Sequence, residues 1–175
     1  MMMTPFAKIL CTALPLTLAL PAFAQELQPS ASALVSGHDG AIAGSATLNE
    51  TPSGEMLLKL DITGVPEGTH GVHLHETGDC TAPDFESAGG HIAGDREHGV
   101  LSQNGPHPGD LPNVHVGADG VLEADVILAG IDIDGMIFDD DGAAFMIHEK
   151  ADDYATQPGG DAGSRIACGV FQKPE

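Results

Sequence analysis

The feature that most constrains this chain is a two-residue rhythm of apolar and polar side chains, carried in short runs between turn residues. Glu55–Val65 reads EMLLKLDITGV, with an apolar residue at every second position from Met56 to Ile62. A strand sends alternate side chains to opposite faces, so such a run has one side for a core and one for water. ALVSG, GAIAGSATLNE, AAFMIHE and SRIACGVFQ supply further strands. Asn113–Leu128, NVHVGADGVLEADVIL, reads as two strands joined by a hairpin at Ala118-Asp119-Gly120. No segment after residue 24 sustains a helical period, and 23 Gly with 12 Pro fit many turns. The expectation is one all-β domain, an antiparallel sandwich or barrel. Thr77–Pro112 and Glu149–Ser164 break the strand pattern. A structureless stretch as long as the first is uncommon in a compact domain unless it is functional or tethered.

The N-terminus is a different kind of segment. Lys8, an apolar run from Ile9 to Leu20 and then Ala22-Phe23-Ala24 read as a secretory signal peptide, residues 1–24, cut after Ala24. Pro15 and Pro21 interrupt the run, which is too short to span a bilayer. The residues before Cys11 do not suit lipid attachment. The expected protein is residues 25–175, exported to the periplasm or secreted, with no membrane insertion. Cleavage removes Lys8 and no acid, which makes the formal charge of −20 one unit more negative. Such a surface repels nucleic acid. Cys80 and Cys168 remain, and two cysteines in an exported chain suggest one disulfide, with two buried thiols as the alternative.

Chemistry concentrates in the histidines. His73 and His75 are one residue apart, and in a strand both point to one face, so the pair can offer two imidazoles to one ion. Alone, H-x-H is a weak signal. His91, His98, His107 and Asp110 fall in the long irregular stretch, and His148 ends an apolar strand. Six histidines and an aspartate exceed the four ligands of one structural zinc site, which points to two metals. Mostly imidazole donors with one carboxylate suit copper or zinc better than calcium or magnesium.

HGVHLHETGDC, SAGGH, HPGDLPN, HEKADD and GSRIACGV stand in the order found in copper–zinc superoxide dismutases, and the chain resembles the exported bacterial form of that family over nearly all of residues 25–175. The resemblance implies a Greek-key antiparallel β-sandwich or barrel of about eight strands, with long metal-binding and electrostatic loops. It implies that His73, His75, His91 and His148 bind one copper, and that His91, His98, His107 and Asp110 bind one zinc, with His91 as bridge. Arg165 would draw the superoxide anion to the copper, and His91 would serve proton delivery. Cys80 would pair with Cys168, Asp152 would link ligands of the two metals, and His70 would brace a loop without binding metal. The implied activity is disproportionation of superoxide to dioxygen and hydrogen peroxide. The net acidity does not forbid an anionic substrate, because distant charges are screened over about 8 Å at physiological salt. His38 and His115 match no motif.

Two departures stand out. Ile92-Ala93-Gly94 follows His91 where the family often has Asn or Asp and then Pro, and the spacing to His98 is short. Between Tyr154 and Arg165 the only charge is Asp161. Neither deletes a ligand. Oligomeric state stays open, a homodimer included. A copper store of the same fold and a β-sandwich that binds a partner are the competing readings.

Overall fold

The computed structural model describes residues 27–174. The expected signal peptide lies outside the described residues. Among the described residues no helix is long and apolar enough to cross a membrane. The chain forms nine strands: β1 Ala31–Gly37, β2 Ala43–Glu50, β3 Met56–Thr63, β4 Gly68–His70, β5 Val72–His75, β6 Val114–Val116, β7 Val121–Leu128, β8 Ala144–His148 and β9 Arg165–Gln172. Single helical turns at Glu86–Ala88 and Ile133–Ile137 interrupt the connections.

The alternation decides which face of each strand is buried. In β3, Met56, Leu58, Leu60 and Ile62 point inward and meet Ala31, Ala33 and Val35 of β1 and Ala46 and Leu48 of β2 in one core. Each large aliphatic side chain so buried contributes about 1.5–3 kcal/mol. All ladders are antiparallel. The main sheet has the order β5-β8-β9-β1-β2-β3-β7 and curls around that core, while β4 and β6 form a two-stranded sheet. β4 and β5 are one run of chain that changes sheets at Gly71. There Gly71 N–H donates to Lys150 O and Gly71 O accepts from His148 N–H. Taking β4 and β5 as one strand gives the expected eight.

The hairpin expected at Ala118-Asp119-Gly120 does not form. The turn exists, closed by Gly120 N–H to Gly117 O at 3.0 Å. The strands on either side part company: β6 pairs with β4, and β7 pairs with β3 from Met56↔Leu128 to Thr63↔Val121. β7 thus returns beside β3 after the chain has crossed through β4–β6, a Greek-key connection. Alternation marks each strand, but an eight-residue partner of matching length outweighs the neighbour across a turn.

β8 is buried on both sides. Phe145 and Ile147 join the main core. Ala144 and Met146 pack outward with Phe85, Ala88, Cys168 and Cys80 in a second small core. That core and the Cys80–Cys168 bond seat the long β5–β6 connection on the outer face of β8 and β9.

Candidate metal centre

β5 carries Val72 and Leu74 into the core and His73 and His75 to the opposite face, as the i, i+2 spacing requires. β8 is its ladder partner, and a bulge between Ile147 and His148 in the β8–β9 pairing lies at the strand's last histidine. The long connection folds back over β5. Leu74 N–H donates to Gly109 O and Leu74 O accepts from Ile92 N–H, both at 2.9 Å, which brings His91 and Asp110 alongside. Gly109 is required at that crossing, because a Cβ there would lie 2.5 Å from Leu74 O.

One nitrogen from each of His73, His75, His91 and His148 lies within 4.8 Å of the others. In three of these rings one nitrogen is committed and the other is not. His73 Nε2 lies 2.8 Å from Asp152 Oδ2, His75 Nδ1 lies 3.0 Å from Gly89 O, and His148 Nδ1 lies 3.2 Å from Gly163 O. Those oxygens only accept, so each committed nitrogen carries the hydrogen and its opposite number carries a lone pair. His73 Nδ1, His75 Nε2 and His148 Nε2 are buried with no hydrogen-bond partner. An orphaned buried polar atom costs about 1–3 kcal/mol, and three lone pairs facing one point are what a metal would relieve. Burial drives the same rings toward neutrality. It lowers His73 to about 4 against the raising effect of Asp152, and lowers His75 to about 2 with help from His91 and Arg165. It lowers His148 to about 3, aided by His73. All three are therefore lone-pair donors at neutral pH.

The second cluster centres on Asp110. Its Oδ1 lies 2.9, 2.9 and 3.2 Å from Nδ1 of His91, His98 and His107. Its Oδ2 accepts backbone N–H from Gly99 and His107 at 2.8 and 2.9 Å. Burial alone would raise this carboxyl. The bonds from His91, Gly99 and His107 outweigh that and hold it well below the usual carboxylate range. Three imidazoles and one carboxylate suit zinc. His91 and His73 both belong also to the second group of donors within 4.8 Å of one another, with His98 and Asp110, and His107 joins through Asp110 Oδ1. His91 Nδ1 faces Asp110, and its ring stacks on His73 at 3.9 Å between centroids.

Asp152 joins the two. Its Oδ2 accepts from His73 and its Oδ1 accepts from His98 Nε2 at 3.0 Å and from Tyr154 N–H at 2.6 Å. Burial raises its pKa, and these donors more than reverse that, to about 2. Such outer contacts fix ring orientation and metal affinity. Asn113 holds Asp152 by its main chain, donating to Asp152 O and accepting Asp152 N–H, each at 2.8 Å. Gly160, with φ +72°, lets the chain pass where a Cβ would sit 1.8 Å from Asp152 Oδ1.

Arg165 opens β9. Its Nη1 donates to Phe85 O at 2.6 Å and its Nη2 to Gly89 O at 2.7 Å. Gly89 O therefore serves both Arg165 and His75. Phe85 is left-handed at φ 56°, a conformation a bulky residue rarely takes, and packing against Met146 and Cys168 secures it. Burial lowers the guanidinium pKa while Glu86 and Asp84 raise it. A cavity of about 440 Å³ reaches His75, His91, His148 and Arg165, and Thr156–Gly159 and Asp161–Gly163 form much of its lining.

Every expected site residue lies in this region, and Cys80 is bonded to Cys168. His70 stays outside both clusters, its ring nitrogens 2.8 and 2.9 Å from His148 O and Pro66 O. His38 and His115 are exposed and join neither. Sequence reasoning missed Asn113, Tyr154, Gln157 and Gly160. Asn113 ends the motif HPGDLPN, a signal that pointed to it without giving a role.

Known proteins resemble this chain over most of its length. Residues 42–171 match the model of the family described as copper/zinc superoxide dismutase. The Cu-Zn superoxide dismutase of Caulobacter vibrioides is 42% identical over 150 residues, 82% of this chain and 86% of that one. A Cu-Zn superoxide dismutase of Aquifex aeolicus is 37% identical over 156 residues, 86% of this chain and 90% of its own. Among solved structures, a superoxide dismutase-like protein from Bacillus subtilis superposes with TM-score 0.75 at 37% identity, covering 79% of this chain and 96% of its own. The clock protein EA4 superposes with TM-score 0.71 at 32% identity, covering 87% and 99%. Two groups of metal-binding donors that share His73 and His91, on a curled antiparallel sheet that matches these relatives in sequence and shape, have one explanation: the chain belongs to the copper/zinc superoxide dismutase family.

Proposed function

We propose that the chain converts two superoxide anions and two protons to dioxygen and hydrogen peroxide, outside the cytoplasm. His73, His75, His91 and His148 hold copper, and His91, His98, His107 and Asp110 hold zinc. Bound there, copper supplies reversible one-electron chemistry and zinc a fixed charge of unchanging oxidation state. The observation that carries this reading is the set of three buried, unpartnered ring nitrogens grouped with His91, whose Nδ1 faces Asp110.

The protein's own groups do the rest. Arg165, pinned by two carbonyls, presents a fixed cation to an incoming anion at the cavity. A fixed cation loses no rotamer freedom when the anion arrives. The carbonyls of Gly89 and Gly163 and the carboxylate of Asp152 hold three rings in the donor tautomer. In this reading His91 Nε2, which lies beside the cavity wall at Gly159, holds a proton and passes it on. Export is supported by the signal-peptide pattern and by the disulfide, which persists in oxidising compartments.

Metal analysis, copper spectroscopy and superoxide turnover with peroxide measured as product test this together. Two metals per chain are expected and, when Co(II) replaces the diamagnetic zinc, magnetic coupling to Cu(II) that is lost in His91→Ala. Two bound metals without turnover would replace dismutation by metal storage. A single four-coordinate zinc with no copper signal would remove the reading altogether. Cell fractionation checks the location.

A further inference from the structure

The lining segment Thr156–Gly159 carries no charge, so its contribution to the cavity is its position. Most of its hydrogen bonds are local. Thr156 N–H and Oγ1 donate to Asp153, and Thr156 O accepts from Gly160 N–H. Gln157 is different. Its Oε1 accepts His98 N–H at 2.9 Å, and its Nε2 lies 2.9 Å from His98 O, 3.1 Å from Ser102 Oγ and 3.0 Å from Ala155 O. Ser102 Oγ donates to the same His98 O at 2.6 Å.

Gln157 therefore grips the main chain of His98 on both sides, as a neighbouring strand would. The ring of His98 is held separately, Nδ1 by Asp110 and Nε2 by Asp152. One residue is thus fixed by its ring to the Asp110 cluster and by its backbone to the cavity wall. Two residues along that wall, Gly159 packs so near His91 that a Cβ would sit 3.3 Å from Nε2. Among the described residues, no other hydrogen bond ties Thr156–Gly159 to a distant part of the chain.

We propose that Gln157 is a positioning residue that couples the zinc site to the wall of the substrate cavity through the backbone of His98. This rests on the zinc reading of the Asp110 cluster, and it is a route separate from Asp152, which joins ring to ring. Ordering of His98 by zinc passes through Gln157 to Thr156–Gly159 and so to the space beside His91. Coupling is reciprocal, so whatever frees the wall weakens zinc by the same factor that zinc steadies the wall.

Gln157→Met keeps the side chain's length and removes its hydrogen bonds, and Gln157→Ala removes both. Hydrogen exchange is followed by segment in the metal-free protein and after zinc addition, with zinc affinity from chelator competition. In the parent protein zinc should slow exchange in both 97–110 and 155–163. In either variant zinc should still protect 97–110 but no longer 155–163, and its affinity should fall about tenfold, the factor that two modest hydrogen bonds carry. Undiminished protection of 155–163 in both variants overturns the proposal. Absence of zinc protection at 97–110 in the parent overturns the zinc reading and the coupling with it. Exchange in β3, read from the same data, shows that the fold is retained.

Discussion

Gly160→Ala tests how tightly Asp152 is built into the site. An alanine Cβ at residue 160 would stand 1.8 Å from Asp152 Oδ1, 2.4 Å from its Cγ and 2.7 Å from His98 Nε2. To restore even 3.0 Å, the carboxylate must retreat by about 1.2 Å, since a Cβ contact shorter than that is essentially never tolerated. A retreat of that size stretches the 2.8 Å bond to His73 or the 3.0 Å bond to His98 past hydrogen-bonding range. Each such bond to a charged acceptor is worth about 1.5–3 kcal/mol. Alanine at φ +72° adds about 1–2 kcal/mol of backbone strain. The expected loss is about 2.5–5 kcal/mol, against a usual domain stability of about 5–15 kcal/mol. Gly94→Ala is the control, because Gly94 has φ +57° and nothing within 4 Å of its Cβ position. It should cost the strain alone, about 1–2 kcal/mol. Denaturant unfolding of the metal-free, disulfide-intact proteins measures both. Equal losses in the two variants would refute the argument, since backbone strain would then explain everything.

Arg165→Ala should lower the superoxide rate constant about tenfold at low ionic strength and flatten its salt dependence, with both metals still bound. An unchanged low-salt rate removes Arg165 from guidance. The metal-free protein should weaken as pH falls below 6.5, because His73, His75 and His148 titrate near 4, 2 and 3 when folded and near 6.5 when unfolded. The unfolded chain then binds more protons, and each such histidine removes up to about 1.4 kcal/mol per pH unit until its folded pKa is reached. Asp152, at about 2 when folded, continues the loss below 3.8. Urea midpoints at pH 7 and pH 5 check this, and coincident midpoints would contradict neutral burial. Cys80→Ser opens an 88-residue loop and should cost about 2–5 kcal/mol in thermal or urea unfolding. It should also lower turnover by loosening Phe85 and Gly89, whose carbonyls hold Arg165.

Local periodicity was enough to mark the strands, to put His73 and His75 on one face and to single out Thr77–Pro112 as a tethered segment. These depend on the order of neighbouring residues, which the chain states directly. Resemblance added which histidines would belong to which metal, and the fold brings them close together. Partnership across the fold was not legible. Asn113–Leu128 looks like a hairpin because alternation and a turn are local, whereas the pairing of β7 with β3 depends on an edge created by distant chain. For the same reason nothing in the sequence marked Gln157 as the clamp on His98 or Gly160 as the space for Asp152, since the first role is a contact between residues 59 positions apart and the second a gap of a single methyl. Nor could composition say which nitrogen of each ring is free, because that is decided by the carbonyl or carboxylate that the fold sets against the other. The amino-acid order determined what could bind metal, and only the tertiary structure, by committing one side of each ring, decided where the lone pairs point.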